Sequence, residues 1–404
     1  MSIAVQLEDE VNDILDLDGK APTKIQRIEW TMKKKYDFQF NSIKMQVEHR
    51  EKGTTKWFPM SKIRVNDMRR FLDDCGHNTS TSQIKEILNS SFSEMTNPLQ
   101  SYIKNLKPLK DKIDYIDQIA QCVTCDSEHF NYFFKKWFVA LVANFMNDYG
   151  CQNQSCLVFA GEQGVYKSTF FANLLPSEWS SYIFIGKPKT TDDERAWSQL
   201  MSEYVLICMD DCLKSVLKKD NESLKSYITQ GVIKFRRMYD EFYSEPARIG
   251  SFAATVNGND VLTDLTGNRR FLCFGIKIVD IERLKSIDKD KALSQAYDYV
   301  KAKWHYWFDK ADENLIQKIN EDYTIVNIEE QFINEYCIQD TNGHMQNAAI
   351  AARLQEITRI NYISSYKIGE VLKKQGYRRY QKTIAGNRVW GWNIQVNDTS
   401  NNRD

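Results

Sequence analysis

Nine consecutive residues carry the side chains and spacing that bind a polyphosphate. They follow the apolar run 156–160, precede the helix-like run 170–175, and are Gly161, Glu162, Gln163, Gly164, Val165, Tyr166, Lys167, Ser168 and Thr169. In such a loop between a strand and a helix, backbone N–H groups surround the phosphates, the lysine contacts their terminal oxygens and the serine ligates Mg²⁺. The nine residues therefore predict a site for ATP and Mg²⁺. The alternative is an ordinary glycine-containing turn.

The segment departs at one position from the G-x-x-x-x-G-K-[ST] spacing of a P-loop. Tyr166 stands where the second glycine is expected, and Gly164 lies two residues earlier. A bulky residue fits there only if the backbone keeps a negative φ or if its surroundings hold the strain. Both hydrolysis of ATP and binding without hydrolysis are compatible with this loop.

Polar residues follow two further apolar runs. The run 204–209 ends in Asp210 and Asp211, and the run 250–256 ends in Asn257. We expect Asp210 to share the Mg²⁺ with Ser168, Asp211 to polarise the attacking water, and Asn257 to contact the γ-phosphate. The alternatives are two solvated carboxylates at a turn, and a turn at Asn257 and Gly258.

Further stretches carry a family resemblance together with these motifs. They are Leu224-Lys225 with KFRRMY at 234–239, Phe252-x-x-Thr255-x-Asn257, and DLTGNRRF at 264–271. The chain resembles the virulence-associated protein E (VapE-like) proteins of phages and mobile elements, within the superfamily 3 helicase-like branch of AAA+ ATPases. This resemblance implies a helicase or replication initiator that hydrolyses ATP to move on single-stranded DNA. It also implies a homo-oligomer, in particular a ring of six.

The resemblance extends to residues that would contact DNA or a neighbouring subunit. In superfamily 3 helicases, a hairpin between the second and third of these strands grips single-stranded DNA. The residues assigned to DNA contact in this way are Lys225, Lys234, Arg236 and Arg237; the alternative is an exposed, salt-bridged ribbon. Arg269 or Arg270 would reach the nucleotide of a neighbouring subunit and neutralise charge on the transferring phosphoryl group. Such an arginine raises the hydrolysis rate of other NTPases by about 10³–10⁵.

The C-terminal region is locally basic. Between residues 345 and 393, nine basic residues stand against two acidic ones, a net charge of +7, with six tyrosines and tryptophans interleaved. The pattern predicts helices at 345–358 and 365–375 and strands at 377–383 and 388–395, which is a winged-helix outline. The predicted contacts to single-stranded or double-stranded DNA are Lys367, Lys373, Lys374, Arg378 and Arg379. The alternative is the solvated face of a small capping domain.

The composition of the chain is that of a cytoplasmic protein that does not cross a membrane. Its 404 residues carry 54 basic and 54 acidic side chains, and its first ten residues include three acidic residues and no basic one. No run of about 18 apolar residues is present. The nine cysteines are scattered along the chain, which fits a reducing compartment. Cys122-x-x-Cys125 followed by His129 has only half the spacing of a zinc site, so we expect these two thiols to be inert.

We therefore predict an α/β protein with a P-loop AAA+ core, an N-terminal α/β region and a C-terminal winged-helix-like domain. The predicted boundaries are 1–95 for the N-terminal region, 96–150 for a helical segment packing on the ATPase, 151–280 for the core, 281–330 for a helical connector, 331–396 for the basic domain and 397–404 for a disordered tail. The N-terminal region lacks the carboxylate pattern of a primase, so a separate primase would supply primers. A nucleotide-gated DNA-binding regulator and a small-molecule kinase are the alternative functions.

Overall fold

A computed structural model describes residues 22–188, 194–233, 246–262, 268–324, 328–384 and 386–397. They belong to two compact units, unit 1 (Met1–Tyr323) and unit 2 (Thr324–Asp404). The predictions for the first residues, for the hairpin at 234–245, for 264–267 and for the tail from 398 lie outside the described residues. Among the described helices, none combines the length and the hydropathy of a membrane span.

The N-terminal part of unit 1 is a small sheet covered by helices. Its elements are α1 (Lys24–Lys35), β1 (Tyr36–Asn41), β2 (Gln46–Glu51), β3 (Phe58–Pro59), α2 (Lys62–Asp74), α3 (Thr81–Leu88) and β4 (Glu94–Thr96). The strand order is β3-β2-β1-β4, with β1 antiparallel to β2 and parallel to β4. Val47 of the sheet is buried among apolar residues of all three helices. This part of the chain therefore combines helices and strands, as the predicted N-terminal α/β region requires.

The opposite face of this sheet packs on the rest of unit 1 through polar groups. Asn41 donates from Nδ2 to Glu48 Oε1 at 2.7 Å and contacts the Tyr182 hydroxyl at 2.8 Å, while Ile43 joins the main core. These side chains are buried, so the paired hydrogen bonds offset the loss of hydration that burial imposes on them.

A six-stranded sheet forms the centre of unit 1. Its strands are β5 (Val123–Cys125), β6 (Cys156–Gly161), β7 (Ile183–Gly186), β8 (Leu206–Met209), β9 (Ser251–Asn257) and β10 (Phe271–Val279). The order is β5-β10-β6-β9-β8-β7, in which all pairs are parallel except β5 with β10. Alternate residues of the strands enter two separate apolar cores, Phe159 on one face and Val158 on the other. Burial on both faces explains why these strands are continuous apolar runs.

Helices cover both faces of this sheet. They are α4 (Pro98–Asn105), α5 (Tyr115–Ala120), α6 (Phe130–Met146), α7 (Lys167–Ala172), α8 (Glu194–Glu203), α9 (Leu213–Thr229), α10 (Ile281–Ser286), α11 (Lys289–Lys301) and α12 (Lys310–Glu321). Helix α6 is buried nearly all round and lies in the same core as Phe159, whereas α8 and α9 lie in the core of Val158. The result is a three-layer α/β arrangement, as predicted for the fold class.

The segment 96–150, which was predicted to be helical, is interrupted by β5. This strand has three residues and pairs with β10 only after the chain has folded, so its short sequence carries no alternating pattern. Cys122 precedes this strand and Cys125 is its last residue, and burial raises the pKa of both thiols. Among the described residues, no three His, Cys, Asp or Glu side chains converge to hold a metal ion.

Unit 2 is a small α/β domain with its own core. Its elements are α13 (Ile328–Tyr336), β11 (Cys337–Gln339), α14 (Asn347–Thr358), α15 (Ser365–Lys374), β12 (Arg379–Ile384), β13 (Asn387–Trp392) and β14 (Ile394–Val396). The two predicted helices are α14 and α15. The prediction of a single strand at 388–395 is wrong, because the chain forms two strands that separate at Asn393. Strand β13 pairs with β12, and β14 pairs with β11.

The boundary between the units lies before the predicted one at residue 331. Helix α13 begins at Ile328, and its Phe332 and Ile333 are buried in the core of unit 2. The helix therefore belongs to the C-terminal domain rather than to a connector. Its partners in that core are remote in sequence, so the local pattern does not reveal the assignment.

A buried ion pair joins α6 to α12. Lys136 Nζ lies 2.6 Å from Asp312 Oδ2, and the two side chains are 4% and 7% exposed. Tyr132 donates a second hydrogen bond to the carboxylate, and Lys136 also contacts the backbone carbonyl of Trp307. The pair therefore fixes α12 and the preceding aromatic segment against the main core.

We expect Lys136→Ala to lower the free energy of unfolding by about 3 kcal/mol, because it leaves the Asp312 carboxylate buried without a cation. Lys135→Ala is the matched control, since Lys135 pairs with Asp114 at 2.6 Å where both side chains are partly exposed. That control should lose no more than about 1 kcal/mol. Urea denaturation measures both, and equal losses would contradict the assigned role of the buried pair.

Candidate functional site

The carboxyl ends of three adjacent parallel strands form one edge of the central sheet. Gly161 ends β6 and pairs in register with Asn257 at the end of β9, while Met209 at the end of β8 pairs with Ala254. From β6 the chain continues to strands on one side, and it later returns to β10 on the other side. Such a reversal of direction opens a crevice at the carboxyl edge of an α/β sheet.

The loop after β6 begins with a glycine that the sheet requires. A Cβ on Gly161 would lie 2.4 Å from the backbone oxygen of Ile276 in β10, and its φ is +144°. Gly164 has a φ of +90°, but a Cβ there would meet no atom within 4 Å. Both packing and backbone conformation thus require a glycine at position 161, whereas backbone conformation alone favours a glycine at position 164.

Tyr166 adopts the backbone conformation that the missing glycine would have had. Its φ and ψ are 66° and 27°, in the left-handed region, and Lys167 begins α7 directly after it. The side chain is 54% exposed and makes no hydrogen bond or ring contact with the described residues. Of the two possibilities that the sequence allowed, the structure has the strained one, at a cost of about 1–2 kcal/mol.

Lys167 points back into the loop. Its Nζ donates to the carbonyl oxygens of Gly161 at 3.0 Å and Glu162 at 2.5 Å, and to Asn257 Oδ1 at 3.3 Å. The residue is only 6% exposed. Burial lowers the pKa of Lys167, and the carboxylates of Asp211 and Asp210 oppose that shift. The buried ammonium is therefore surrounded mainly by neutral acceptors.

Asp210 accepts hydrogen bonds from two hydroxyl groups. Ser168 Oγ donates to Asp210 Oδ1, and Thr255 Oγ1 donates to the same oxygen at 2.6 Å. The Thr255 hydroxyl also accepts from the backbone N–H of Asp211 at 3.1 Å. Thr255 stood in one of the motifs quoted above but received no role from the sequence, because its contact with Asp210 depends on the pairing of β8 with β9.

Asp211 and Asn257 are joined on the exposed side of the site. Asn257 Nδ2 donates to Asp211 Oδ2 at 3.0 Å, and Lys214 Nζ donates to the Asn257 carbonyl at 2.9 Å. Asp211 has a positive φ of 49°. Asn257 thus contacts both Lys167 and Asp211 and links the two halves of the site. Lys214 is a further residue that the sequence did not identify.

The arrangement offers oxygen ligands to a hard cation. The Ser168 hydroxyl and the Asp210 carboxylate are in direct contact, beside a loop that offers backbone N–H groups. Magnesium in proteins is commonly held by one or two protein oxygens, with the remaining ligands coming from phosphate and water. The donor set therefore fits Mg²⁺ together with a polyphosphate.

Arg269 and Arg270 lie at the opposite edge of the sheet. They directly precede β10, which is parallel to β6, whereas the loop follows β6. Five paired residues separate the two edges, about 16 Å along the strands. Neither arginine contacts the loop of its own chain. Arg269 instead donates to both carboxylate oxygens of Glu313, at 2.9 and 3.1 Å.

The residues predicted to contact DNA occupy different surroundings. Lys225 in α9 is 4% exposed and pairs with Glu222 at 3.1 Å, whereas Lys234, Arg236 and Arg237 lie outside the described residues. In unit 2, Lys367 and Lys374 of α15 approach Glu329 and Glu330 at 3.7 and 3.5 Å.

The other residues of unit 2 that were predicted to contact DNA are exposed near the hairpin. Lys373 lies in the last turn of α15, and Arg378 and Arg379 lie at the start of the hairpin formed by β12 and β13. The Arg379 guanidinium lies over the rings of Trp390 and Trp392, at 5.4 and 5.7 Å from their centroids. The predicted basic and aromatic residues thus share this hairpin.

Comparison with known proteins identifies one family. The family model of the virulence-associated protein E-like domain matches residues 103–325. An apo structure of the NrS-1 C-terminal region has a TM-score of 0.50 and 11% identity, and the match covers 91% of this chain and 99% of that chain. Two further apo structures of the same region, with identical coverage, give TM-scores of 0.49 and 0.47 at 12% and 11% identity. At this identity, the first match shows similarity of fold alone. No curated protein matches the sequence significantly.

We expect Gly161→Ala to destabilise unit 1 more than Gly164→Ala. Both substitutions place a Cβ on a backbone with positive φ, which costs about 1 kcal/mol. Only Gly161→Ala also pushes a methyl group against β10, which raises the expected loss to about 3 kcal/mol. Urea denaturation of the two variants tests this difference, and similar midpoints would contradict the close approach of the loop to β10.

Proposed function

Because the chain belongs to the virulence-associated protein E-like family, we propose that it is a P-loop ATPase of the AAA+ type. It acts as a DNA helicase or replication initiator of a phage or mobile genetic element and hydrolyses ATP to move along single-stranded DNA. One observation carries this proposal: Lys167, the Ser168 and Asp210 pair, and the Asp211 and Asn257 pair converge at one edge of a parallel sheet.

The loop and Lys167 bind the phosphates of ATP. The Lys167 ammonium is buried among carbonyl and amide oxygens, which leaves it without a directly bonded anion. Phosphate oxygens replace those neutral acceptors and stabilise the charged form of the lysine. The backbone N–H groups of the loop surround the same phosphates in this proposal.

Ser168 and Asp210 hold Mg²⁺ in this scheme. When bound, the ion neutralises charge on the β- and γ-phosphates and so stabilises the transferring phosphoryl group. Thr255 orients the Asp210 carboxylate through its 2.6 Å hydrogen bond.

Asp211 and Asn257 act on the attacking water. The Asp211 carboxylate is solvent-exposed, and the Asn257 amide fixes one of its oxygens at 3.0 Å. The other oxygen is available to accept a hydrogen bond from a water molecule and orient it toward the γ-phosphate. Asn257 also contacts Lys167, so a phosphate bound at the lysine changes the surroundings of the water site.

Oligomerisation and DNA binding complete the proposal. The distance between the two arginines and the loop of their own chain supports action of Arg269 or Arg270 on the nucleotide of a neighbouring subunit, in a ring of six. Two helices followed by a hairpin, with basic and aromatic side chains, support a winged-helix-like DNA-binding role for unit 2. A separate primase supplies the primers.

Steady-state ATP hydrolysis with and without single-stranded DNA tests the proposed function. We expect the wild-type rate to rise with DNA, and Lys167→Ala and Asp211→Asn to lower it at least about 100-fold, because each removes a group that acts on the transferring phosphoryl group or on water. Lys104→Ala, at an exposed position of α4, is the control and should retain the wild-type rate. Hydrolysis by Lys167→Ala at the wild-type rate would refute the assignment.

Nucleotide binding without turnover would favour the alternative, a DNA-binding regulator that uses the loop as a switch. The strained Tyr166 backbone is the observation that favours it, because the left-handed conformation disfavours residues other than glycine. Tyr166→Gly would then be the first variant to assay for recovered turnover. Strand separation by the wild-type protein would exclude this alternative.

The salt dependence of DNA affinity tests the role of unit 2. We expect Lys373→Ala with Lys374→Ala to weaken binding and to reduce the slope of log K against log salt by about 1–2, because each phosphate contact releases condensed counterions. Lys104→Ala again serves as the control. An unchanged slope would contradict DNA contact by these lysines, and an absence of DNA binding by the wild-type protein would favour the small-molecule kinase.

A further inference from the structure

A second basic stretch lies in the N-terminal part of unit 1. Between residues 33 and 64, nine basic residues stand against three acidic ones, a net charge of +6. Of the acidic residues, Glu48 is buried, Asp37 pairs with Arg50 at 3.0 Å, and Glu51 is exposed. The N-terminal sheet and its helices therefore carry about as much local positive charge as unit 2 does.

Strand pairing brings part of this charge to one corner of the N-terminal sheet. The backbone N–H of Lys52 donates to the Lys35 carbonyl at 3.0 Å, which places the residue after β2 beside the end of α1. Strand β3 pairs antiparallel with β2, so the residues before β3, Lys56 and Trp57, lie toward the same corner. The three lysines are exposed, and the described residues give none of them an ion pair.

Aromatic rings lie among these cations. The Arg50 guanidinium lies 4.6 Å from the centroid of the Trp57 ring, and its Nε donates to Asp37 Oδ2 at 3.0 Å. The Lys56 ammonium lies 5.3 Å from the centroid of the Phe58 ring, and Phe58 is 43% exposed. Trp57 is partly exposed as well. The two rings are thus held in place while part of their surface remains in contact with water.

Protection of the sheet edge does not explain this composition. Strand β3 is an edge strand, and lysines at such an edge prevent pairing with other chains. Exposed aromatic surface has no part in that protection and is unfavourable in water. Phosphates pair with lysines, and unpaired bases stack on aromatic rings. A single-stranded nucleic acid carries both groups, whereas a duplex hides the faces of its bases between neighbouring pairs.

We propose that single-stranded DNA binds at this corner of the N-terminal sheet. The surface that binds it, the N-terminal basic surface, consists of Lys35, Lys52, Lys56, Trp57 and Phe58. The lysines contact phosphates, and the two rings stack on bases. This contact goes beyond the DNA contacts proposed for unit 2. The choice of DNA over RNA rests on the proposed function, in which the chain moves along single-stranded DNA.

Fluorescence anisotropy of a labelled oligothymidylate, titrated with the full chain in the absence of nucleotide, tests the lysines. We expect Lys52→Ala with Lys56→Ala to reduce the slope of log K against log salt by about 1–2, because each phosphate contact on a single strand contributes about 0.7. Lys24→Ala with Lys104→Ala is the control of equal charge, since Lys24 is exposed at the other end of α1 and Lys104 is exposed in α4. It should leave the slope unchanged.

The same titration tests the rings. We expect Trp57→Ala to weaken binding at least about fivefold at every salt concentration without a change in slope, because stacking involves no phosphate contact. Trp57→Phe keeps an aromatic ring and should retain most of the affinity. Urea denaturation of both variants separates a loss of stacking from a loss of folding.

Unchanged affinity of the folded variants would overturn this inference. Equally tight binding of a duplex or of an RNA strand of the same length would also overturn it, as would displacement of the DNA by polyglutamate at equal charge concentration. ATP hydrolysis judges the proposed function separately. If the wild-type chain does not hydrolyse ATP but these variants lose DNA affinity, the proposed function fails and the contact stands. If DNA stimulates hydrolysis but the variants bind DNA as the wild type does, the inference alone fails.

Discussion

The candidate site depends on the register between β6 and β9. Their pairing sets Gly161 opposite Asn257, and the pairing of β8 with β9 brings Thr255 to Asp210. A slip of one residue would turn every side chain of a strand to the other face of the sheet, which both apolar cores forbid. The close approach of Gly161 to β10 adds a second restraint on β6. The burial of the sheet thus fixes the positions of the polar groups at its edge.

A small hydrogen-bond network then connects the parts of the site. Asn257 contacts the Lys167 ammonium through its oxygen and the Asp211 carboxylate through its nitrogen. Two residues in this region, Tyr166 and Asp211, have positive φ. Such conformations persist where the surrounding structure holds them, and they concentrate at functional sites. The two residues with positive φ therefore lie in this network, as Asp211 does, or directly before one of its members, as Tyr166 does.

The two edges of the sheet differ in chemistry. Carboxylates and the loop from Gly161 to Thr169 lie at the carboxyl edge, and arginines with an aromatic cleft lie at the amino edge. Because these strands are parallel, all their carboxyl ends meet at one edge of the sheet. The residues that follow the strands are therefore separated from the residues that precede them. The N-terminal sheet packs on the same unit through Asn41 and Tyr182, near the strand that follows α7.

The sequence by itself determined the local features: the apolar strands, the loop from Gly161 to Thr169, the helices α14 and α15, and the polar residues that end β8 and β9. Periodicity and glycine placement encode these features within a few residues. Only the tertiary structure decided that β5 joins the sheet, that α13 belongs to unit 2, that Lys225 is buried, and that Arg270 lies a strand length from its own loop. It also decided the left-handed backbone of Tyr166, for which the sequence allowed two conformations. These outcomes depend on contacts between residues far apart in the chain, as Lys136 and Asp312 are, and such contacts leave no local pattern.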